Sequence, residues 1–178
     1  MHFSAIYLLH GKGGSPKGSV WQLEVELRVC QPNQNYVRPL MPHTDPAVLP
    51  SVSVQHLRSF DVPEGALIVG VSLGGLVAAK LQEMDRPDLH VICISSPTHA
   101  DDTELTRRME HRVSIYSSVD EVIAGRTERW PELAEAYDFP WLDHDTDKHK
   151  AALGLILSAY VQKREVSQEV AKIGARGL

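Results

Sequence analysis

Residues 66–84 pass from an apolar run, through a glycine-rich turn, into a helical pattern with no loop between them. Ala66-Leu67-Ile68-Val69 is continuous apolar sequence, the pattern of a strand buried on both faces. Gly70-Val71-Ser72-Leu73-Gly74-Gly75 comes directly after it, and residues 76–84 then read as a helix. A chain that turns from strand to helix within so few residues must bend sharply. The side chain at the bend is lifted clear of the sheet only if its neighbours lack bulk. Gly70 and Gly74 flank Ser72 at two residues on either side, so Ser72 is the side chain so presented. Gly-x-Ser-x-Gly has only three fixed positions, so the reading depends on the residues at the ends of the other strands.

Strands and helices alternate along the whole chain. Strands are predicted over 3–9, 36–40, 66–69, 90–95, 112–116 and 139–142, each a short apolar or β-branched run. Helices are predicted over 19–29, with Val20, Leu23 and Leu27 at helical spacing, and over 52–60, with Val54, Leu57 and Phe60. A long helix is predicted over 148–163, with Leu153, Ile156, Leu157, Tyr160 and Val161 on its apolar side, and the last dozen residues extend it or fray. Residues 101–110 are polar and read as a short helix or loop. Residues 121–136 hold one or two helical pieces broken around Gly125 and Pro131. Such alternation points to an α/β fold: a three-layer, doubly wound parallel sheet of about six strands with helices on both faces. Ligands of such sheets bind beyond the carboxyl ends of the strands, which is where chemistry is to be sought.

Length and composition narrow the partners. The 178 residues, 43% of them hydrophobic, suit one domain over 1–178, large enough to bury a real core. A net charge of -5 without long runs of like charge gives no basis for nucleic-acid binding. No apolar stretch approaches the roughly 20 residues that span a bilayer. The N-terminus has no basic leader and reads as a first strand, not a signal peptide. Cys30 and Cys93 read as free thiols, which with the missing leader points to the cytoplasm.

After the first strand stands His10-Gly11-Lys12-Gly13-Gly14-Ser15. Such a loop can bring backbone N–H groups to the serine, and the N–H groups of Lys12 and Leu73, with Gly11 beside them, would bind the oxyanion of a tetrahedral intermediate. A plain glycine turn is the simpler alternative. Phosphate binding is a third, weakened because Ser19 stands where a P-loop requires lysine. His10 reads as a structural hydrogen-bonder. After the fifth strand, Asp120 can orient a histidine through its Nδ1–H, or cap the next helix, or do both; Glu121 competes one residue on. After the sixth strand come two histidines, His144 and His149. A base must reach back over the sheet edge on a loop of several residues, which favours His149, seven residues past Leu142, over His144. His144, Asp145, Asp147 and His149 also raise a metal site, but one loop seldom converges such ligands unaided. The remaining histidines read as surface or hydrogen-bonded residues, and Trp21, Trp130 and Trp141 as core or pocket rim.

Taken together, the chain resembles the α/β-hydrolase family over nearly its whole length. The matching features are His10-Gly11 after the first strand, the Gly70–Gly74 turn, Asp120, and a histidine before the last helix, in the family's order Ser, Asp, His. The resemblance implies Ser72 as nucleophile, His149 as general base and acid, Asp120 as its orienting acid, and Leu73 and Lys12 as oxyanion donors. It departs from the family where Lys148 precedes His149 in place of a common glycine, and two early strands of larger members are missing. Residues 96–111 are too few for a cap domain. The chain is thus similar to small, lidless serine hydrolases of the esterase type. The expected activity is cleavage of a carboxylic ester or thioester, a small-molecule substrate, through an acyl-enzyme on Ser72, with no cofactor and no metal. The alternatives are a non-catalytic binding or regulatory protein on the same scaffold, which would not need an activated serine, and a triad enzyme acting on a C–C or peptide bond.

Overall fold

The structure is a computed structural model, and it describes residues 3–162. The order of elements is β1 (Ile6–Leu9), α1 (Ser19–Cys30), β2 (Tyr36–Val37), α2 (Pro50–Arg58), β3 (Leu67–Val71), α3 (Leu73–Met84), β4 (His90–Ile94), β5 (His99–Ala100), β6 (Thr103–Glu104), β7 (Arg112–Tyr116), α4 (Trp130–Leu133), β8 (Glu135–Asp138) and α5 (Lys150–Val161). Single turns of 3-10 helix stand at Pro42–Thr44, Glu121–Ile123 and Thr146–His149. Six strands form one sheet in the order β2-β1-β3-β4-β7-β8, and every neighbouring pair is parallel. Strand order reverses on either side of β1 and β3, so the sheet is doubly wound and its carboxyl edge opens a crevice there.

The period of two in β1 sorts side chains to the two faces. Ala5, Tyr7 and Leu9 join one apolar cluster with Val54 and Leu57 of α2 and Leu76, Val77 and Leu81 of α3. Ile6 and Leu8 join the other with Val20, Leu23 and Leu27 of α1 and Leu153, Ile156 and Leu157 of α5. Helices therefore cover both faces, as a parallel sheet requires, and the three-layer architecture expected from the alternation is present. Between β4 and β7 the chain makes only the two-residue strands of the β5–β6 hairpin, and no cap domain covers the carboxyl edge.

Two expectations are corrected. The last strand is Glu135–Asp138, not 139–142. Phe139 and Leu142 instead bury their side chains in the α1/α5 cluster from a turn in which the Leu142 N–H donates to the Phe139 carbonyl at 2.9 Å. Residues 101–110, expected as a short helix or loop, are loop and turn except for Thr103–Glu104, the second strand of the hairpin. The final helix begins at Lys150, after a 3-10 turn, and its expected end at Lys163 and the segment beyond lie outside the described residues. Cys93 is buried and Cys30 half-buried, and both are free thiols.

Candidate active site

Ser72 joins β3 to α3 with φ 51° and ψ -124°. A non-glycine residue there costs on the order of 1–3 kcal/mol, so the surroundings must hold it. They do so from both sides. The Ser72 N–H donates to the Ile94 carbonyl at the end of β4 at 2.8 Å, and the Gly75 N–H donates to the Ser72 carbonyl at 3.0 Å. The flanking glycines answer to space. A Cβ on Gly70 would stand 2.4 Å from backbone atoms of Gly74 and Gly75, and one on Gly74 would stand 2.5 Å from the carbonyl oxygens of Leu9 and His10. Any side chain would push α3 off the ends of β1 and β3, and the serine with it.

Asp120 and His144 converge on this hydroxyl. His144 Nε2 lies 3.0 Å from Ser72 Oγ, and His144 Nδ1 lies 2.9 Å from Asp120 Oδ2. The Asp120 side chain is 1% exposed. Its two oxygens divide the work: Oδ1 accepts from the Val122 N–H at 3.0 Å and caps the Glu121–Ile123 turn, while Oδ2 faces the imidazole. An ionised carboxylate only accepts, so Nδ1 carries the proton and Nε2 is left to accept from the serine hydroxyl. Capping and orienting, weighed as alternatives for Asp120 in the sequence, are both in place.

His149, the histidine expected to reach the serine, does not. Its Nε2 lies 3.5 Å from the Asp143 backbone nitrogen and 3.4 Å from Asp143 Oδ1, and its ring packs on Trp141 with centroids 5.3 Å apart. It braces the loop that carries His144. The same loop is tied by the Asp145 N–H donating to Asp143 Oδ1 at 2.9 Å. The cause of the error is the strand boundary. Counted from Asp138, where β8 ends, five residues (139–143) precede His144, which is the reach the base needs.

The loop after β1 lies against the serine: a Cβ on Gly11 would stand 3.0 Å from Ser72 Cβ. The Gly11 carbonyl accepts from His10 Nδ1 at 2.9 Å and from the Gly14 N–H at 3.0 Å. In a trans peptide the N–H points opposite to the carbonyl, so the Lys12 N–H faces away from His10. Among the described residues neither the Lys12 nor the Leu73 N–H has a protein acceptor, whereas the Gly13 N–H donates to the His43 carbonyl at 2.8 Å. Leu73 is the first residue of α3, where helix geometry leaves N–H groups unpaired. Lys12 and Leu73 both line the cleft that holds Ser72 and His144.

A second pair of histidines holds this loop from behind: His10, the structural hydrogen-bonder expected from the sequence, and His43, whose role the sequence did not reveal. His10 Nε2 accepts from the Met41 N–H at 3.0 Å, which puts the ring proton on Nδ1 and fixes the bond to Gly11. His43, fully buried, places Nε2 2.8 Å from the His10 carbonyl and Nδ1 2.9 Å from Ser53 Oγ. The carbonyl can only accept, so His43 Nε2–H donates and Nδ1 accepts from Ser53. His10, accepting at Nε2, is neutral by its hydrogen bonds, and burial keeps His43 neutral. Burial pulls the pKa of His10 down, and that of His43 to about 4. No pattern within one chain segment could reveal this contact, since Pro42–Thr44 reaches it from the loop after β2.

Among the described residues no group of three or more His, Cys, Asp or Glu side chains converges as a metal site. No helix there is long and apolar enough to cross a membrane.

No protein-family model matches the sequence, and no curated protein matches it. Solved structures do. The ydeN gene product of B. subtilis matches at a TM-score of 0.69 and 17% identity, over 89% of this chain and 99% of that one. A protein from Xanthomonas campestris described as a hydrolase of the alpha/beta superfamily matches at 0.68 and 16% identity, over 90% of this chain and 99% of that one. A second protein from the same organism, described as a serine hydrolase without lid, matches at 0.60 and 14% identity, over 90% of this chain and 83% of that one. The chain thus has the α/β-hydrolase fold in a minimal form, with no cap.

Proposed function

We propose that this protein is a serine hydrolase that cleaves carboxylic esters or thioesters through an acyl-enzyme on Ser72. The observation that carries the reading is the continuous hydrogen-bonded line from Ser72 Oγ through His144 to Asp120, at 3.0 and 2.9 Å. In this reading His144 Nε2 takes the hydroxyl proton as Oγ attacks the carbonyl carbon. Asp120 holds the imidazole in the required tautomer and stabilises the imidazolium. The Lys12 and Leu73 N–H groups receive the oxyanion, an interaction worth roughly 3 kcal/mol per donor in related chemistry. The imidazolium then gives its proton to the departing alcohol or thiol. Water, deprotonated by the same histidine, releases the acid and restores the serine.

The test is labelling by a fluorophosphonate probe, with the modified peptide mapped to Ser72, alongside release of 4-nitrophenol from short-chain esters. Ser72→Ala abolishes both. His144→Ala lowers kcat by about 10³-fold or more, while His149→Ala stays within about ten-fold of wild type. An unlabelled serine in the folded protein, or an active His144→Ala variant, would overturn the assignment.

A further inference from the structure

Ser72 and His144 stand between two clefts of unlike chemistry. One, of about 320 Å3, is walled by Pro97, Ala100 and Val122 and carries Lys12, Asp101 and Arg126 as its charged groups. The other, of about 270 Å3, is lined by Lys12, which borders both clefts, and by Asp145 and Asp147, both exposed, with Lys148 Nζ 3.4 Å from Asp145 Oδ2. In the first cleft Lys12 Nζ lies 3.6 Å from Asp101 Oδ2, an ion pair open to solvent. Arg126 has no such partner. Its Nη2 donates to the Val122 carbonyl at 2.7 Å, and among the described residues no carboxylate pairs with it. Elsewhere Arg28, Arg38, Arg58, Arg86 and Arg129 each lie 3.0 Å or less from a carboxylate oxygen.

Arg126 is also firmly placed. Its carbonyl accepts from the Thr98 N–H at 2.7 Å and from Thr98 Oγ1 at 3.0 Å, and its N–H donates to the Ile123 carbonyl at 3.0 Å. Arg126 is half-buried and lines the same cleft as Ser72, and the donors of its planar guanidinium beyond the one given to Val122 are left without a carboxylate partner among the described residues. A guanidinium so held matches a carboxylate in charge and in shape. The apolar walls between it and Ser72 suit methylenes. The second cleft, lined mainly by glycines and polar residues, suits departure of the alcohol and entry of water.

We infer that the first cleft is the acyl site and that Arg126 selects acyl groups ending in a free carboxylate, so that the preferred substrates are half-esters or half-thioesters of dicarboxylic acids. This rests on the hydrolase reading above and specifies its substrate. Asp101 limits the selection by occupying Lys12, the second cation of the cleft.

The experiment compares 4-nitrophenyl monoesters of adipic and suberic acid with their methyl-capped neutral counterparts and reads the ratio of kcat/KM within each pair. Wild type favours the free carboxylate by about ten-fold for at least one chain length, the factor expected of one charge-assisted contact. Arg126→Gln brings the ratio near one, Arg126→Lys keeps part of it, and 0.5 M salt reduces it. Asp101→Asn, tolerated at φ 47° because asparagine adopts that conformation readily, frees Lys12 and raises the ratio. A wild-type ratio at or below one for both acids, a ratio untouched by Arg126→Gln, or a lower ratio in Asp101→Asn overturns the selection while leaving ester hydrolysis intact. If no member of either pair is hydrolysed, the hydrolase reading itself fails.

Discussion

Gly74 shows how little room the serine turn leaves. A methyl group there would meet two carbonyl oxygens at 2.5 Å, both of them backbone and neither able to swing away. Gly74→Ala is therefore expected to cost about 3 kcal/mol, at the upper end of overpacking effects, as read from urea unfolding. It should also lower kcat beyond any loss of folded protein, because α3 carries the Leu73 N–H. Asp120 is the second demanding residue. Asp120→Asn keeps an oxygen for the Val122 N–H but offers the imidazole a neutral partner. A fall in kcat of about 10⁴-fold with little change in stability is expected, and equal losses in both would assign Asp120 to structure alone.

At the scale of elements, the pH behaviour arises from the Pro42–Thr44 turn. His43 is fully buried and neutral, with its pKa held near 4 against an ordinary 6.5. Its folded pKa lies below its unfolded one, so the unfolded chain takes up the proton first as pH falls. Stability is thus complete above about pH 7, is lost as pH falls from about 6.5 toward 4, and amounts to on the order of 3 kcal/mol for this group. Denaturant midpoints measured between pH 7.5 and 5 should fall in wild type and fall less in His43→Gln; parallel curves would remove His43 as the cause. Because His43 holds the His10 carbonyl, and through it the loop bearing Lys12, activity should decline in the same range.

Elements also explain what could be read in advance. β1, β3 and β4 are buried on both faces and announce themselves as largely apolar runs, β7 announces itself by its β-branched and aromatic residues, and α1, α2 and α5 by the spacing of their buried residues. β8 is an edge strand whose Glu135 and Asp138 are exposed, so it carries no such run, and the apolar Phe139 and Leu142 drew the strand assignment four residues downstream. That shift alone moved the choice of histidine from His144 to His149. Asp120 and the Lys12 loop were legible because each comes after a strand whose end was correctly placed, and Ser72 because Gly70 and Gly74 mark its turn although β3 runs on to Val71, two residues past its expected end. His43 and Arg126 were not, since each meets the site through contacts that join distant segments.

At the scale of the molecule, Arg112 joins what the sheet alone does not. It is fully buried on β7. It donates to Gln82 Oε1 at 2.9 Å, to the Ala79 carbonyl of α3 at 2.9 Å and to the Arg107 carbonyl at 3.0 Å. Arg112→Ala leaves the buried Gln82 Oε1 without this donor and removes the cross-links to the Ala79 and Arg107 carbonyls. A loss of about 3–5 kcal/mol is expected by chemical denaturation, whereas Arg112→Met, which fills the volume, should lose less.

Ser72, Asp120 and His144 come from the ends of three different strands, and β8 and α5 lie at the far end of the described chain. The hydroxyl thus acquires its imidazole only after every crossover of the sheet has been made. A chain that has folded through β7 but not yet docked the 139–149 loop holds a strained serine and a buried aspartate with nothing between them. On the proposed hydrolase reading, reactivity toward a serine probe would arise only once β8 and the 139–149 loop have docked, and would serve as a clock for that step.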